Sequence, residues 1–371
     1  MTSLVLNSLE IREFRAFKHL QIERLGRVNL IVGKNNVGKS SVLEALRLYA
    51  QRGNPALLWN LLRSRDESRI SLQREGGVLE QLESIKHLFY GRNKELKSSI
   101  RIGPKDSEKQ VLSILIDVVQ QQLALFTPNQ DMVDDLFPND SIDNSDTLSY
   151  GIYITYGSDR RMYLLDKGGS LVGRKAELGI KSLFIPAEGL LKHQQGIFWD
   201  NIALTDLEDQ VIQSLRIIAP DIERFAFISD GDRTTERTSE RYPVVILSDS
   251  PSRIPLRSLG EGMNRMLGIA LALINARDGI LLVDEIESGL HYSVQADMWR
   301  LVFETARRLN IQVFATTHSW DCIQGFQEAA QEDQQSDGFL IRLGRKQENI
   351  VATVYNEEEL AIATREQIEV R

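Results

Sequence analysis

One nine-residue stretch constrains this chain more than any other: "GKNNVGKSS", Gly33 to Ser41. It carries the Gly-x-x-x-x-Gly-Lys-Ser pattern, and each fixed position has a mechanical reason. Backbone N–H groups that converge on phosphate oxygens need a loop so tight that glycine must take the hardest dihedrals. Lys39 then sets a cation against the outer phosphates, and Ser40 offers a hydroxyl to Mg²⁺. A helix that begins there points its positive end at the anion. The flanks agree. "RVNLIV" reads as a buried strand, and "KSSVLEALRLYA", residues 39 to 50, has apolar side chains at helical spacing. Gly33, Asn35, Asn36, Gly38, Lys39, Ser40 and Ser41 are therefore the nucleotide-binding candidates.

The second constraint is "ILLVDEIESGLH", residues 280 to 291. A wholly apolar strand runs straight into adjacent carboxylates, Asp284 and Glu285, which are costly near a core unless something pairs with them. A phosphate loop lacks a metal ligand opposite Ser40 and a base to activate water. Successive side chains at a strand end point different ways. Asp284 can thus face Mg²⁺ while Glu285 faces the attacking water. The plainer alternative, two acids capping the next helix, loses its appeal once a phosphate loop shares the chain.

His318 follows "IQVFATT", another buried strand. Ligands in open α/β sheets collect at the carboxyl ends of strands, so His318 is placed to sense the γ-phosphate. The alternative is a satisfied histidine at a strand edge. Ser258 to Leu273, "SLGEGMNRMLGIALAL", is a second helix start preceded by serine and glycine. One nucleotide rarely needs two such loops in one chain. Ser258 and Gly260 are expected to complete the site of another subunit, against the plainer reading of a helix cap.

Composition narrows the partners. The formal net charge of −8 argues against whole-surface attraction to nucleic acid. Only Arg52, Arg63, Arg65, Arg69 and Arg74 offer a local DNA-binding patch. Asp66, Glu67 and Glu75 dilute it toward an ordinary solvated face. The single cysteine, Cys322, allows neither an intrachain disulfide nor a thiolate metal cluster, and fits a reducing, cytoplasmic setting. "MTSLVLNSLEIREFRAF" lacks the basic start and long apolar core of a signal peptide. Asn275, Arg277 and Asp278 interrupt the longest apolar tract, so no membrane span is expected.

Along the chain, "LEIREF" and "HLQIERL" read as strands and residues 51 to 90 as largely helical. Residues 98 to 118 and 148 to 166 read as antiparallel strand pairs around an acidic, turn-rich loop, "FTPNQDMVDDLFPNDSIDNSD". "KSLFIP" and "PVVILS" read as further strands and residues 203 to 218 as a helix. From residue 258 helix and strand alternate up to His318, and the acidic segment after residue 356 reads as a peripheral helix.

The phosphate loop, the "SLGEGMNRM" loop, "ILLVDEIESGLH" and "ATTHS", in this order, resemble the ATP-binding-cassette ATPases. With "LEIREFRAF" leading into the loop, they look like the SMC/RecF-like branch and the ATPase part of OLD-family, AAA-type bacterial proteins. The resemblance implies an α/β P-loop head with a mainly parallel core sheet, an antiparallel β subdomain and a helical subdomain. It divides residues 1–371 into a Walker A lobe (1–50), a helix and antiparallel β insertion (51–180), a helical connector (181–257), a signature, Walker B and His-switch lobe (258–330) and a C-terminal tail (331–371). It implies a homodimer around ATP and Mg²⁺, in which Ser258 and Gly260 touch the partner's γ-phosphate. "ESGLH" would then be the D-loop crossing the seam near Ser288, and Arg15 would lie near the phosphates.

Departures from the family pattern limit what carries over. The signature reads Ser-Leu-Gly-Glu-Gly. No glutamine directly follows the "KSLFIP" strand, which leaves Gln194, Gln195 and Glu188 open as Q-loop residues. No long coiled coil, zinc hook or Toprim domain is expected, so a nuclease or Toprim-like effector would be a separate protein. The implied function is an ATP-driven switch acting on a partner or on DNA, in bacterial defence or genome maintenance. A stand-alone ATP/GTP phosphatase is the alternative; a transporter motor subunit and a small-molecule kinase fit less well.

Overall fold

The computed structural model describes residues 4–68, 78–92, 99–118, 150–165, 171–173, 179–229, 241–332 and 337–365. The acidic, turn-rich stretch, Arg69 and Arg74 lie outside them. In chain order, β1 (Leu9–Phe14) and β2 (Phe17–Ile22) form a hairpin, β3 (Val28–Val32) enters the phosphate loop and α1 (Lys39–Ala50) leaves it. Helices α2 (Pro55–Arg63) and α3 (Val78–Lys86) follow, then β4 (Ser99–Gly103), β5 (Leu112–Val118), β6 (Tyr150–Tyr156), β7 (Asp159–Leu165) and β8 (Leu171–Gly173). Next come β9 (Ser182–Ile185), α4 (Lys192–Asp200), α5 (Glu208–Arg216), β10 (Ile222–Ser229), β11 (Arg241–Leu247) and β12 (Ser250–Pro255). The last third runs α6 (Glu261–Asn275), β13 (Ile280–Val283), α7 (Gln295–Arg308), β14 (Gln312–Thr316), α8 (Trp320–Glu332), β15 (Gly338–Lys346), β16 (Asn349–Tyr355) and α9 (Glu357–Arg365).

The sheet that positions the site has the order β16-β15-β3-β14-β13-β9. Its strands are parallel except for β16. Every residue of β3, β13 and β14 is buried, as expected of strands covered on both faces. Their side chains divide by alternation between two cores. Leu281 and Val283 join the core that includes α6, α7 and α8, whereas Ile280 and Leu282 join the one shared with α1 and the antiparallel sheet. Because β3, β13 and β14 run the same way, the phosphate loop, the acid pair and His318 emerge at one sheet edge. Topology thus joins residues that lie far apart in the chain.

Two buried amides fix the base of this arrangement. Asn29 Nδ2 donates to the carbonyls of Gly26 (2.8 Å) and Val313 (3.1 Å), and its Oδ1 accepts from Gly26 N–H (2.9 Å). Gln312 Nε2 donates to the carbonyls of Leu6 (2.7 Å) and Gly26 (2.9 Å). The second sheet is antiparallel, in the order β2-β1-β4-β5-β6-β7-β8, and a third holds β10-β11-β12.

Two segments depart from expectation. Residues 331–371 are not simply a tail, since β15 pairs in parallel with β3, from Gly338 against Val28 to Arg342 against Val32. Phe339, Leu340 and Ile341 are buried, so the strand beside the phosphate loop needs this segment to bury its own edge. Residues 181–257, expected as a helical connector, also contain the three-stranded meander. Of its strands the sequence marks only the middle one, as "PVVILS".

On the β1–β2 hairpin, Glu10 Oε1 lies 2.8 Å from Arg12 Nη2, 2.8 Å from His19 Nε2 and 2.9 Å from Gln21 Nε2. Burial alone would raise its pKa, but these three donors outweigh it and hold the carboxyl down at about 2, against 4.5 in the unfolded chain. A depressed folded-state pKa gives stability that is complete above the unfolded value and is lost as pH falls through the folded one. The melting-temperature gap between the wild type and Glu10→Gln should therefore shrink between pH 4.5 and about 2. A gap that stays constant across that window would refute the assignment.

Candidate nucleotide-binding site

The phosphate loop keeps its glycines for two reasons. Gly33 and Gly38 sit at φ 145° and 91°, where L side chains are strained. An added Cβ would also lie 2.4 Å from Leu343 O at Gly33 and 2.6 Å from the Phe17 ring at Gly38. Helix α1 starts at this loop without a side-chain cap, so its first N–H groups are available to an anion. Lys39 Nζ donates to the carbonyls of Gly33 (2.7 Å) and Lys34 (3.0 Å). Burial pushes its pKa down, against the pull of Asp284, Glu285 and Glu287.

The acid pair separates as its position requires. Asp284 Oδ1 accepts from Thr316 Oγ1 at 2.5 Å and from Ser40 Oγ at 3.3 Å. The same Thr316 oxygen accepts from Glu285 N–H at 2.9 Å, so one hydroxyl on β14 orients both acids. Glu285 adopts φ 46°, a left-handed kink at the strand end. Its Oε1 stands 3.9 Å from His318 Nε2, and both side chains are open to solvent, at 46% and 40%. His318 N–H donates to Glu287 Oε1 at 3.0 Å.

Among the described residues no group of three His, Cys, Asp or Glu side chains could hold a metal. Mg²⁺ does not require one, since it takes one or two protein oxygens and fills its shell with phosphate and water. The Ser40 hydroxyl and the Asp284 carboxylate, facing each other, fit that demand.

Arg265, on α6, has an expected neighbour in the signature loop but an unexpected role. Its Nη2 donates to the carbonyls of Asp284 and Glu285, both at 2.7 Å. Its Nη1 reaches Pro186 O at 2.9 Å and Ala187 O at 3.4 Å, and its Nε reaches Ile286 O at 3.4 Å. The residue is 5% exposed. Burial lowers its pKa, while Glu287, Asp284, Glu285 and Glu188 oppose that shift. One guanidinium thus ties the ends of β9 and β13 together beneath the acid pair. The only trace of this in the sequence is a single basic residue inside a mainly apolar helix.

A cleft of about 530 Å³ is lined by all the loop candidates except Gly33, together with Arg15 and His318. Arg15 carries its charge into a salt-bridge network. Its guanidinium bonds Glu44 (3.0 Å) and Glu67, and the carbonyls of His87 (3.3 Å) and Leu61 (3.4 Å). Ser258 and Gly260 are exposed, and neither lines this cleft among the described residues. Helix α6 begins there, after Gly260 at φ 109°, without a side-chain cap. The segment beyond the acid pair rests directly on it, because a Cβ on Gly262 would lie 2.9 Å from Gly289 O.

Neither open glutamine reaches toward Ser40. Gln194 Oε1 caps Leu191 N–H at 3.1 Å, and Gln195 Nε2 bonds Leu190 O (3.3 Å) and Asn264 Oδ1 (3.2 Å). Glu188 is exposed. The basic stretch is broken up as well. Arg52 stacks 4.9 Å over Tyr156 and Arg65 pairs with Glu44 at 2.8 Å, while Arg63 is exposed.

Comparison with known proteins agrees with this geometry. The family model described as AAA ATPase domain matches residues 5–160 and 181–323. The chain is 22% identical over 394 residues to an ATP/GTP phosphatase of Helicobacter pylori, across 96% of this chain and 100% of that protein. It is 38% identical over 103 residues to an uncharacterized protein of Methanocaldococcus jannaschii, across 28% of this chain and 43% of that one. Among solved structures, an SMC head bound to the C-winged helix domain of ScpA aligns over 95% of this chain and 98% of its own. The TM-score is 0.50 at 12% identity, a likeness of fold. Because the matched residues span both the phosphate loop and the acid pair, the chain belongs to the AAA ATPase domain family and hydrolyses ATP on the fold of an SMC head.

Proposed function

We propose that hydrolysis here works a switch made of two copies of the chain, each completing the other's nucleotide site. One observation carries this reading. The Ser258–Gly260 loop presents an exposed, uncapped helix start, which suits an anion, yet it stands outside the cleft of its own chain. A second copy supplies the cleft it lacks.

Within one site, Lys39 and the N–H groups of the loop hold the outer phosphates. Mg²⁺, bound by Ser40 and Asp284, would offset charge on the phosphate oxygens. Glu285 takes a proton as water attacks the γ-phosphorus. The bond to the β-phosphate oxygen breaks, which leaves ADP and phosphate. His318 orients Glu285 and lies where loss of the γ-phosphate is felt.

The switch would act on a separate effector, such as a nuclease or Toprim-like protein, or on DNA, in bacterial defence or genome maintenance in the cytoplasm. The charge of −8 and the commitment of Arg52 and Arg65 favour a protein effector. No helix among the described residues is long and apolar enough to cross a membrane. The Helicobacter pylori relative is named an ATP/GTP phosphatase, which suits a second reading, hydrolysis of ATP or GTP as the whole function.

Mixing separates the two. Lys39→Ala and Ser258→Arg chains should each be inactive. Mixed one to one, they should recover about a quarter of wild-type turnover. Half the dimers would then be mixed, and each would hold one intact composite site. No recovery, or a fully active Ser258→Arg chain, would defeat the dimer reading.

A further inference from the structure

His318 is placed to act on Glu285, yet its own side chain has little to hold it. The ring is 40% exposed, and Glu285 Oε1 stands 3.9 Å from its Nε2, beyond hydrogen-bond reach. Where the ring points therefore depends on the backbone beneath it. Before it, Thr317 N–H donates to Ile31 O at 3.2 Å. After it, Ser319 N–H donates to Thr317 Oγ1 at 3.0 Å. The N–H of His318 itself goes to a side chain, Glu287 Oε1, at 3.0 Å.

An acid is a costly residue to put there. Glu287 Oε2 is buried without a hydrogen-bond partner, and buried polar atoms are seldom left so. Arg265 and Lys39 face the charge and offset part of that cost. What Glu287 supplies is reach. It stands in the turn beyond the acid pair, closed by Ser288 N–H to Glu285 O (2.9 Å) and Leu290 N–H to Glu287 O (2.8 Å). That turn already meets the end of β14 where Ile286 N–H donates to Thr316 O at 3.1 Å. The Glu287 side chain extends the pairing to His318.

We propose that Glu287 is a positioning residue for hydrolysis: by accepting the His318 N–H, it fixes the backbone from which the imidazole reaches toward Glu285. This rests on the reading of His318 given above and adds the group that sets its position. The plainer alternative is a helix-start contact, since α8 begins two residues further on. Such a contact would support stability and leave turnover of the folded protein intact.

Two substitutions separate the properties of the carboxylate. Glu287→Gln keeps the length and an acceptor oxygen but loses the charge. Glu287→Asp keeps the charge facing Arg265 and draws the acceptor back from the His318 N–H. Glu287→Asp should lower kcat roughly tenfold, within what small misplacement of a catalytic group costs, and leave the ATP dissociation constant unchanged. Glu287→Gln should retain most of its turnover. Wild-type kcat in Glu287→Asp would overturn the assignment, and so would the reverse order, with Gln inactive and Asp normal, because charge alone would then count. A His318→Ala background has no ring left to position, so Glu287→Asp should cost nothing further there. An equal loss in both backgrounds would mark Glu287 as a structural contact that acts independently of His318. His318→Ala by itself tests the underlying reading: it should lower kcat, and wild-type turnover in that variant would remove His318 from the mechanism and the role of Glu287 with it.

Discussion

Glu285→Gln is expected to lower turnover by roughly 10²–10⁴-fold, the contribution of a positioned general base, while ATP still binds. The substitution is nearly isosteric. The backbone keeps its φ of 46° and the N–H bond of 2.9 Å to Thr316 Oγ1. Asp284 keeps its contacts with Thr316 and Ser40, so the candidate metal site is untouched. What disappears is a carboxylate oxygen able to take a proton, together with the charge that faces His318 at 3.9 Å. If two copies close around ATP, this variant should also hold them closed, and light scattering should show a lasting dimer when ATP and magnesium are added. Turnover within threefold of the wild type would mean that the base lies elsewhere.

The sheet edge that carries the candidate site is legible in the sequence because it obeys local rules. Strand β13 is an unbroken apolar run, β3 and β14 are apolar apart from Asn29, Gln312 and Thr316, and each ends abruptly in the candidate site residues. The glycines of the phosphate loop are explained by their own dihedrals. Contacts between distant segments were less legible. The alternation in "FLIRLGRKQENIVATVY" marks a hairpin, yet nothing local says that its first strand will pair with β3. The family resemblance marks Arg15, but its partners Glu44 and Glu67 lie on α1 and after α2, so its neutralised charge cannot be read from "FRAF". Gln195 is similar. The sequence leaves it open as a Q-loop residue, and packing against α6 gives it Asn264 as a partner.

Arg265 is the extreme case, and removing it should have the second large effect. On the sequence it is one basic residue in "EGMNRMLGIALAL". In the fold it supplies donors to carbonyls from residues 186, 187, 284, 285 and 286. Arg265→Met fills similar volume but leaves those acceptors without their donor. It also removes the positive charge facing Glu287, Asp284, Glu285 and Glu188. Each buried acceptor left without its donor costs on the order of 1–3 kcal/mol, and several lose theirs at once, so Arg265→Met should melt far below the wild type or fail to fold. Arg265→Lys is the more informative variant. An ammonium keeps the charge but cannot fork between the ends of β9 and β13. The chain should then fold and bind ATP, while the backbone beneath Glu285 loses its fixed position. Small misplacement of a catalytic group is costly, and turnover should fall roughly 10–10²-fold. Melting curves, ATP affinity and turnover measured on the same preparation distinguish this from general instability. Near-normal turnover in Arg265→Lys would show that charge alone suffices at this position, and that Thr316 by itself orients the acids.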